Sequence, residues 1–251
     1  MPPRIVIPMP HATDREYSER AMPQYERAVE LAGGEPVRIS LSENPGQVRA
    51  LVEGCAGVLL PGSKADVDPA RFGQTKSPHT ANADLKREAV DDILLEDAYA
   101  GAKPVLGICY GLQSLNVFRG GSLIQHIPDF LPQEKRTTVD HEAGKTVAVA
   151  HAVEVDRGSK LFGIAASNGR TEDIGSSLLV PVNSSHHQSA DETGKELRIV
   201  ARCAEDDIIE ALEGTCPDHF VLAVQWHPER SIADPVSHGI FRALVEAAAR
   251  K

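Results

Sequence analysis

Short runs of aliphatic and β-branched residues alternate along the chain with longer stretches in which apolar positions recur every three to four residues. "RIVIP" (4–8) has the density of a buried first strand, and "YSERAMPQYERAVELAGG" (17–34) has helical spacing. That helix is expected to start after Pro23, to turn Val29 and Ala32 inward and to stop at Gly33-Gly34. "PVRIS" (36–40), "PGQVRALVEG" (45–54) and "GVLLPG" (57–62) continue as strand, helix and strand. The polar stretch 63–81 is long for a connection inside a domain, which marks it as functional or mobile. From about Asn82 to Ala100, Leu85, Ala89, Ile93 and Leu94 define an inward helical face, with Lys86, Asp91, Asp92 and Asp97 outward. "PVLGI" (104–108) follows as a strand.

This β-α-β-α-β order predicts a parallel sheet with right-handed crossovers. In the second half, "KTVAVAHAVEVD", "LLVPVNS", "ELRIVARC", "IIEALEG" and "FVLAVQWH" are strand-like and closely spaced, which suggests antiparallel additions. "PVSHGIFRALVEAAAR" closes the pattern as a helix with Ile240, Leu244 and Ala248 on one side. No repeat or low-complexity tract interrupts it, and 251 residues suit one α/β domain spanning 1–251.

Composition narrows the partners. A formal net charge of −10, spread along the chain without an acidic tail, argues against nucleic acid, whose phosphates demand a basic face. No run approaches the ~18 apolar residues of a membrane span, and the opening "MPPRIVIPMPHATD" lacks the apolar core of an export signal. A cytoplasmic protein that binds neither membrane nor nucleic acid is therefore expected. Cys55, Cys109, Cys203 and Cys216 show no C-x-x-C spacing, so neither a zinc ribbon nor a disulfide framework is indicated. Cys55 and Cys203 read as buried thiols and Cys216 as a surface one.

Cys109 differs. It stands where a buried strand meets a helix, bracketed by Gly107 and Gly111 in G-x-C-x-G, the cysteine counterpart of the nucleophile elbow. The turn there is sharp enough to exclude side chains two residues away, and the helix N-terminus beneath favours a negative sulfur. Such a nucleophile needs a base, and the base needs an orienting partner. "FVLAVQWHPE" ends a buried strand in His227, and in an extended chain Glu229 lies on the same side as His227. Glu229 can then hold one ring nitrogen and leave the other for Cys109, with Pro228 stiffening the link.

"PG" (61–62), "GICYGLQ" (107–113) and "HPE" (227–229), in that order, resemble the class I glutamine amidotransferase superfamily. "DLKRE" (84–88), "RGGSLIQHIPD" (119–129) and "NSSHHQ" (183–188) further resemble its gamma-glutamyl-gamma-aminobutyrate hydrolase branch, as does Arg230 where amidotransferase domains usually carry Ser. The resemblance implies a flavodoxin-like fold: a mostly parallel central sheet flanked by helices, with antiparallel additions in the C-terminal half. It implies a Cys109-His227-Glu229 triad, a γ-glutamyl amide substrate and a thioester intermediate. Backbone N–H groups of Tyr110 and the Gly62 turn would hold the oxyanion, and Gln113 would contact substrate. No cofactor is implied, and a homodimer is compatible with it. The runner-up is a glutaminase subunit that supplies ammonia to a separate synthase.

In "SSHHQ", Ser185, His186, His187 and Gln188 are expected to form a pocket wall that offers donors to the substrate's carboxylates. A metal site is not predicted there, because no third ligand follows at suitable spacing. Asp84 and Arg87 read as an exposed charged first turn. His11, His79, His126, His141, His151, His219 and His238 read as ordinary.

Overall fold

The computed structural model describes residues 1–136, 138–168 and 172–251, with the side chain of Lys145 left aside. The strands are β1 (Arg4–Pro8), β2 (Glu35–Ile39), β3 (Gly57–Leu60), β4 (Val105–Ile108), β5 (Leu123–Ile124), β6 (His151–Asp156), β7 (Glu172–Asp173), β8 (Ser177–Val182), β9 (Ser189–Ala190), β10 (Leu197–Cys203), β11 (Ile209–Gly214) and β12 (Val221–Val224). The helices are α1 (Arg15–Leu31), α2 (Pro45–Glu53), α3 (Leu85–Gly101), α4 (Tyr110–Phe118), α5 (Ile127–Phe130), α6 (Lys160–Asn168) and α7 (Pro235–Ala248).

One sheet runs β2-β1-β3-β4-β12-β11-β10-β6-β8-β7, and β5 pairs separately with β9. The strands from β2 to β12 are mutually parallel, and those from β12 onward pair antiparallel. "FVLAVQWH" was expected among the antiparallel additions; it instead lies parallel to β4 and forms the seam between the two halves. Parallel strands covered on both faces need apolar residues at every position. In β1, Ile5 and Ile7 pack into the core beneath α1 and α7, while Val6 packs into the core beneath α2 and α3.

The first helix begins earlier than Pro23 suggests. Asp14 caps it, accepting from the Tyr17 N–H, and Pro23 lies inside the helix. The lost backbone bond is offset by the burial of Met22, Tyr25, Ala28 and Val29. Asn44 and Gln47 form a reciprocal capping box on α2.

The inward face of α3 differs most from the pattern. Leu85 is 66% exposed and Ala89 is exposed, whereas Arg87 and Asp91 are fully buried. Apolar spacing fails here because the two buried charges satisfy one another. Arg87 Nε donates to Asp91 Oδ1 at 2.7 Å, and the Ser114 hydroxyl donates to Asp91 Oδ2 at 2.9 Å. The other guanidinium nitrogens donate to the carbonyls of Pro10 (3.1 Å) and Pro61 (2.7 Å), and the group lies 4.8 Å from the centre of the Tyr110 ring. Asp84 is also buried; it caps α3 and accepts from the Ala12 N–H at 2.6 Å. Neither residue belongs to an exposed first turn.

Removing one member of a buried pair leaves an uncompensated charge. Arg87→Met should therefore cost about 3–5 kcal/mol in urea unfolding, and Arg87→Met with Asp91→Leu should recover only part of it, because the Pro10 and Pro61 carbonyls still lack their donor. A single variant as stable as the wild type would show that the pair holds nothing in place.

Candidate active site

β4 ends at Ile108 and α4 begins at Tyr110, leaving Cys109 alone in the turn with φ 53° and ψ −106°. A non-glycine residue held there stores strain, which persists only where its surroundings enforce it. The enforcement is visible at the two glycines. A Cβ on Gly107 would lie 2.8 Å from the Gly111 carbonyl oxygen, and one on Gly111 would lie 2.1 Å from that of Leu60. The helix that follows is nine residues long, and its first N–H groups have no carbonyl one turn back.

His227 reaches the same place from the neighbouring strand. Val224 pairs with Ile108, and its carbonyl accepts the Cys109 N–H at 2.8 Å. Three residues on, His227 Nδ1 lies 2.7 Å from Glu229 Oε1, with both side chains buried. The geometry is not the extended one inferred from sequence. β12 stops at Val224, and Pro228–Ser231 forms a 3₁₀ turn, so it is this turn that brings the carboxylate back to the ring. Asn183 locks the backbone of His227 reciprocally: its Nδ2 donates to the His227 carbonyl and its Oδ1 accepts the His227 N–H, both at 2.9 Å.

His227 Nε2 makes no hydrogen bond, and His227 and Cys109 line the same cleft. A Cβ placed on Gly62 would lie 3.0 Å from His227 Cε1 and 3.7 Å from Cys109 Cβ, so the three residues converge. Burial alone would depress the imidazole. The Glu229 carboxylate and the Cys109 sulfur outweigh that and raise it to about 9.

The expected oxyanion donors are arranged unequally. Tyr110 is the first residue of α4, so its N–H lacks an intrahelical acceptor. The Gly62 N–H, by contrast, donates to the Tyr25 hydroxyl at 3.1 Å. Burial pushes the Tyr25 phenol well above its ordinary value, so it remains a hydroxyl with its own proton to give. Tyr25 lines the cleft, and its place on a helix otherwise read for apolar spacing gave no sign of this contact.

The cleft encloses about 580 Å³, and Cys109, Gln113, His227 and residues 185–188 all line it. Gln113 Nε2 donates to the Gln188 carbonyl (3.3 Å) and reaches Gln225 Oε1 (3.4 Å). Gln188 Nε2 donates to the Gln125 carbonyl at 3.0 Å. His187 is half-buried, with Nε2 3.2 Å from the carboxylate of Asp66, a residue of the long polar loop. His186, expected as a donor to substrate, commits its ring elsewhere: Nδ1 bonds the Gln188 carbonyl at 2.9 Å, and Nε2 faces Glu210 at 3.4 Å. His141 and His151 meet the same carboxylate. The ligand-type neighbours that close sequence spacing did not offer are thus supplied by distant segments.

Fold and cleft define a class I glutamine amidotransferase-like protein, with a strained cysteine turn at the carboxyl end of a parallel strand. The chain belongs to the peptidase C26 family, which matches residues 7–229. It is 38% identical over 225 residues to a Mycobacterium tuberculosis protein named "Putative glutamine amidotransferase Rv2859c", covering 89% of this chain and 66% of that protein's length. It is 30% identical over 236 residues to the gamma-glutamyl-gamma-aminobutyrate hydrolase PuuD of Escherichia coli, covering 89% of this chain and 84% of that one. Among solved structures, the glutaminase domain of Trypanosoma brucei CTPS with bound acivicin superposes with a TM-score of 0.57 at 17% identity, covering 99% of this chain and 94% of that one. At that identity the likeness is one of fold. Among the described residues, no helix is long and apolar enough to cross a membrane.

The raised imidazole has a stability consequence. Because the folded value exceeds the ordinary 6.5, the Glu229–imidazolium attraction contributes in full below that pH and is lost as pH rises through about 9. The stability gap between wild type and Glu229→Gln should be widest near pH 6 and close by pH 10, read by urea unfolding across the range. A gap independent of pH would mean that His227 is neutral throughout.

Proposed function

We propose that the protein is a cysteine hydrolase of γ-glutamyl amides. The observation that carries this reading is the strained Cys109 beside an imidazole whose other nitrogen is held by Glu229 at 2.7 Å. Cys109 Sγ, as thiolate, attacks the δ-carbonyl carbon. The negative oxygen is met by the Tyr110 N–H and, at the Gly62 turn, by the Tyr25 hydroxyl that the Gly62 N–H polarises. The imidazolium of His227 gives its proton to the leaving amine as the C–N bond breaks, which leaves a γ-glutamyl thioester. His227 then takes a proton from water, the hydroxide adds to the thioester, and glutamate leaves as the sulfur is released. Glu229 positions the ring and stabilises its charged form without touching substrate.

The lining suits a zwitterionic γ-glutamyl group. Arg20, Lys64 and Arg230 offer positive charge, while Asp66 and Glu142 offer negative charge, in one cleft. The E. coli relative's name supplies the particular amide, γ-glutamyl-γ-aminobutyrate, as the first substrate to test.

Hydrolysis of that amide, with glutamate and free amine both measured, should vanish in Cys109→Ala and survive in Cys55→Ala, Cys203→Ala and Cys216→Ala. Glu229→Gln should keep a residual rate where His227→Ala keeps none. Release of ammonia from glutamine only in the presence of a second protein would instead identify a glutaminase subunit.

His187 and Asp66 together form one wall of the cleft. His187→Ala should lower kcat/KM at least about tenfold, roughly 1.4 kcal/mol, through KM more than kcat and with little change in Tm. Unchanged kinetics with a lowered Tm would make His187 a structural residue.

A further inference from the structure

Behind the cleft wall, three histidines and a glutamate from four separate segments converge on one point. His141 Nδ1, His151 Nε2 and His186 Nε2 lie 3.2, 3.5 and 3.4 Å from the same atom, Glu210 Oε1. The histidine side chains are at most 4% exposed, Glu210 is fully buried, and the four ligand atoms all lie within 4.8 Å of one another. None of these inward atoms has a hydrogen-bond partner.

The outer nitrogens fix what the inner ones are. His141 Nε2 bonds Asp206 Oδ2 (2.9 Å), His186 Nδ1 bonds the Gln188 carbonyl (2.9 Å), and His151 Nδ1 faces the Ala152 carbonyl (3.3 Å). A carboxylate or carbonyl can only accept, so each outer nitrogen carries the proton, and each inner nitrogen of a neutral ring presents a lone pair. Three lone pairs and a carboxylate oxygen then face one another with no donor between them, a costly arrangement unless a cation lies at the centre. Protons could supply it, but charge-assisted N–H···O⁻ bonds close to about 2.7–2.9 Å, shorter than all three separations. A tetrahedral ion with bonds of about 2.0–2.1 Å holds its ligands about 3.3–3.4 Å apart, close to the three distances to Glu210 Oε1. The outer acceptors match the carboxylate or carbonyl that a metal-bound histidine usually engages. The charges also balance: a divalent ion against Glu210 and Asp206.

We propose that His141, His151, His186 and Glu210 hold a structural zinc ion in a closed, four-coordinate site. It fastens the segment before β6, β6 itself, the loop before β9 and β11 to one another. His186 and His141 immediately precede His187 and Glu142, both of which line the cleft, so the ion fixes the back of the substrate wall without entering it. This assignment is independent of the reaction assigned to Cys109.

The test uses full-length protein carrying Cys109→Ala, so that the cleft thiol cannot take up metal, purified without a metal-affinity column. Elemental analysis should find about one zinc per chain. Stripping it with a chelator should lower Tm on the order of 10 °C, and zinc alone, but not magnesium, should restore it. Cobalt loaded into the stripped protein should give the visible absorption of a tetrahedral site, and Glu210→Gln and His151→Ala should each abolish both metal uptake and that spectrum. The proposal is overturned if the protein carries less than about a tenth of an equivalent and zinc leaves the Tm unmoved, or if both variants retain the ion.

Discussion

A guanidinium without access to water governs the geometry of the cleft. Arg87 projects from α3 beneath the sheet's carboxyl edge and joins three things that would otherwise move separately: the chain after β1 at Pro10, the turn after β3 at Pro61, and the first turn of α4 through the Tyr110 ring and, by way of Asp91, Ser114. Three strand ends are thereby set at fixed heights. An apolar side chain could fill much of that volume, but it could not donate to two carbonyls that have no strand partner. The pair therefore acts as a spacer with directional contacts, and the Gly62 turn stands opposite Cys109 because Pro61 cannot drift.

The division of labour between rigid and adaptable parts follows from this. Cys109 and His227 leave adjacent parallel strands joined by backbone hydrogen bonds, so their separation is set by strand spacing. The groups that line the rest of the cleft come from loops: Asp66 from the long stretch between β3 and α3, and His187 and Gln188 from the segment before β9. Cys109 and His227 thus rest on the sheet, while the rest of the cleft is lined by connections that can change without moving it.

Strands β1 to β4, the closing helix and the elbow were legible because each depends on local pattern: aliphatic density, 3.6-residue spacing, and glycines flanking a cysteine. The pairing of His227 with Glu229 was legible as a spacing, although the conformation that realises it is a 3₁₀ turn and not an extended strand. The inward face of α3 was not legible, because periodicity assumes that buried means apolar, and Arg87 with Asp91 breaks that assumption by mutual neutralisation. The same assumption hid Glu210, although a carboxylate within "IIEALEG" was a signal: every residue of β11 is buried, so Glu210 had to have polar partners. Its partners come from segments far apart in the sequence, and no local spacing could have named them. Tyr25 was hidden for a related reason, since one tyrosine on an amphipathic helix looks like packing until its hydroxyl is followed to Gly62.

The position of β12 in the sheet also governs the order in which the molecule can assemble. It follows the other described strands in sequence, yet it lies in the middle, parallel to β4 on one side and antiparallel to β11 on the other. Until it arrives, the N-terminal parallel half exposes the bare edge of β4, and the antiparallel half exposes that of β11. Both edges consist of residues that are buried in the finished protein. Pairing them through β12 closes contacts across more than a hundred residues, which is slow, and unpaired apolar edges attract other chains while they wait. A chain that folds as it is made therefore holds Cys109 at the end of β4 before the strand that leads to His227 can insert, and that strand closes the sheet.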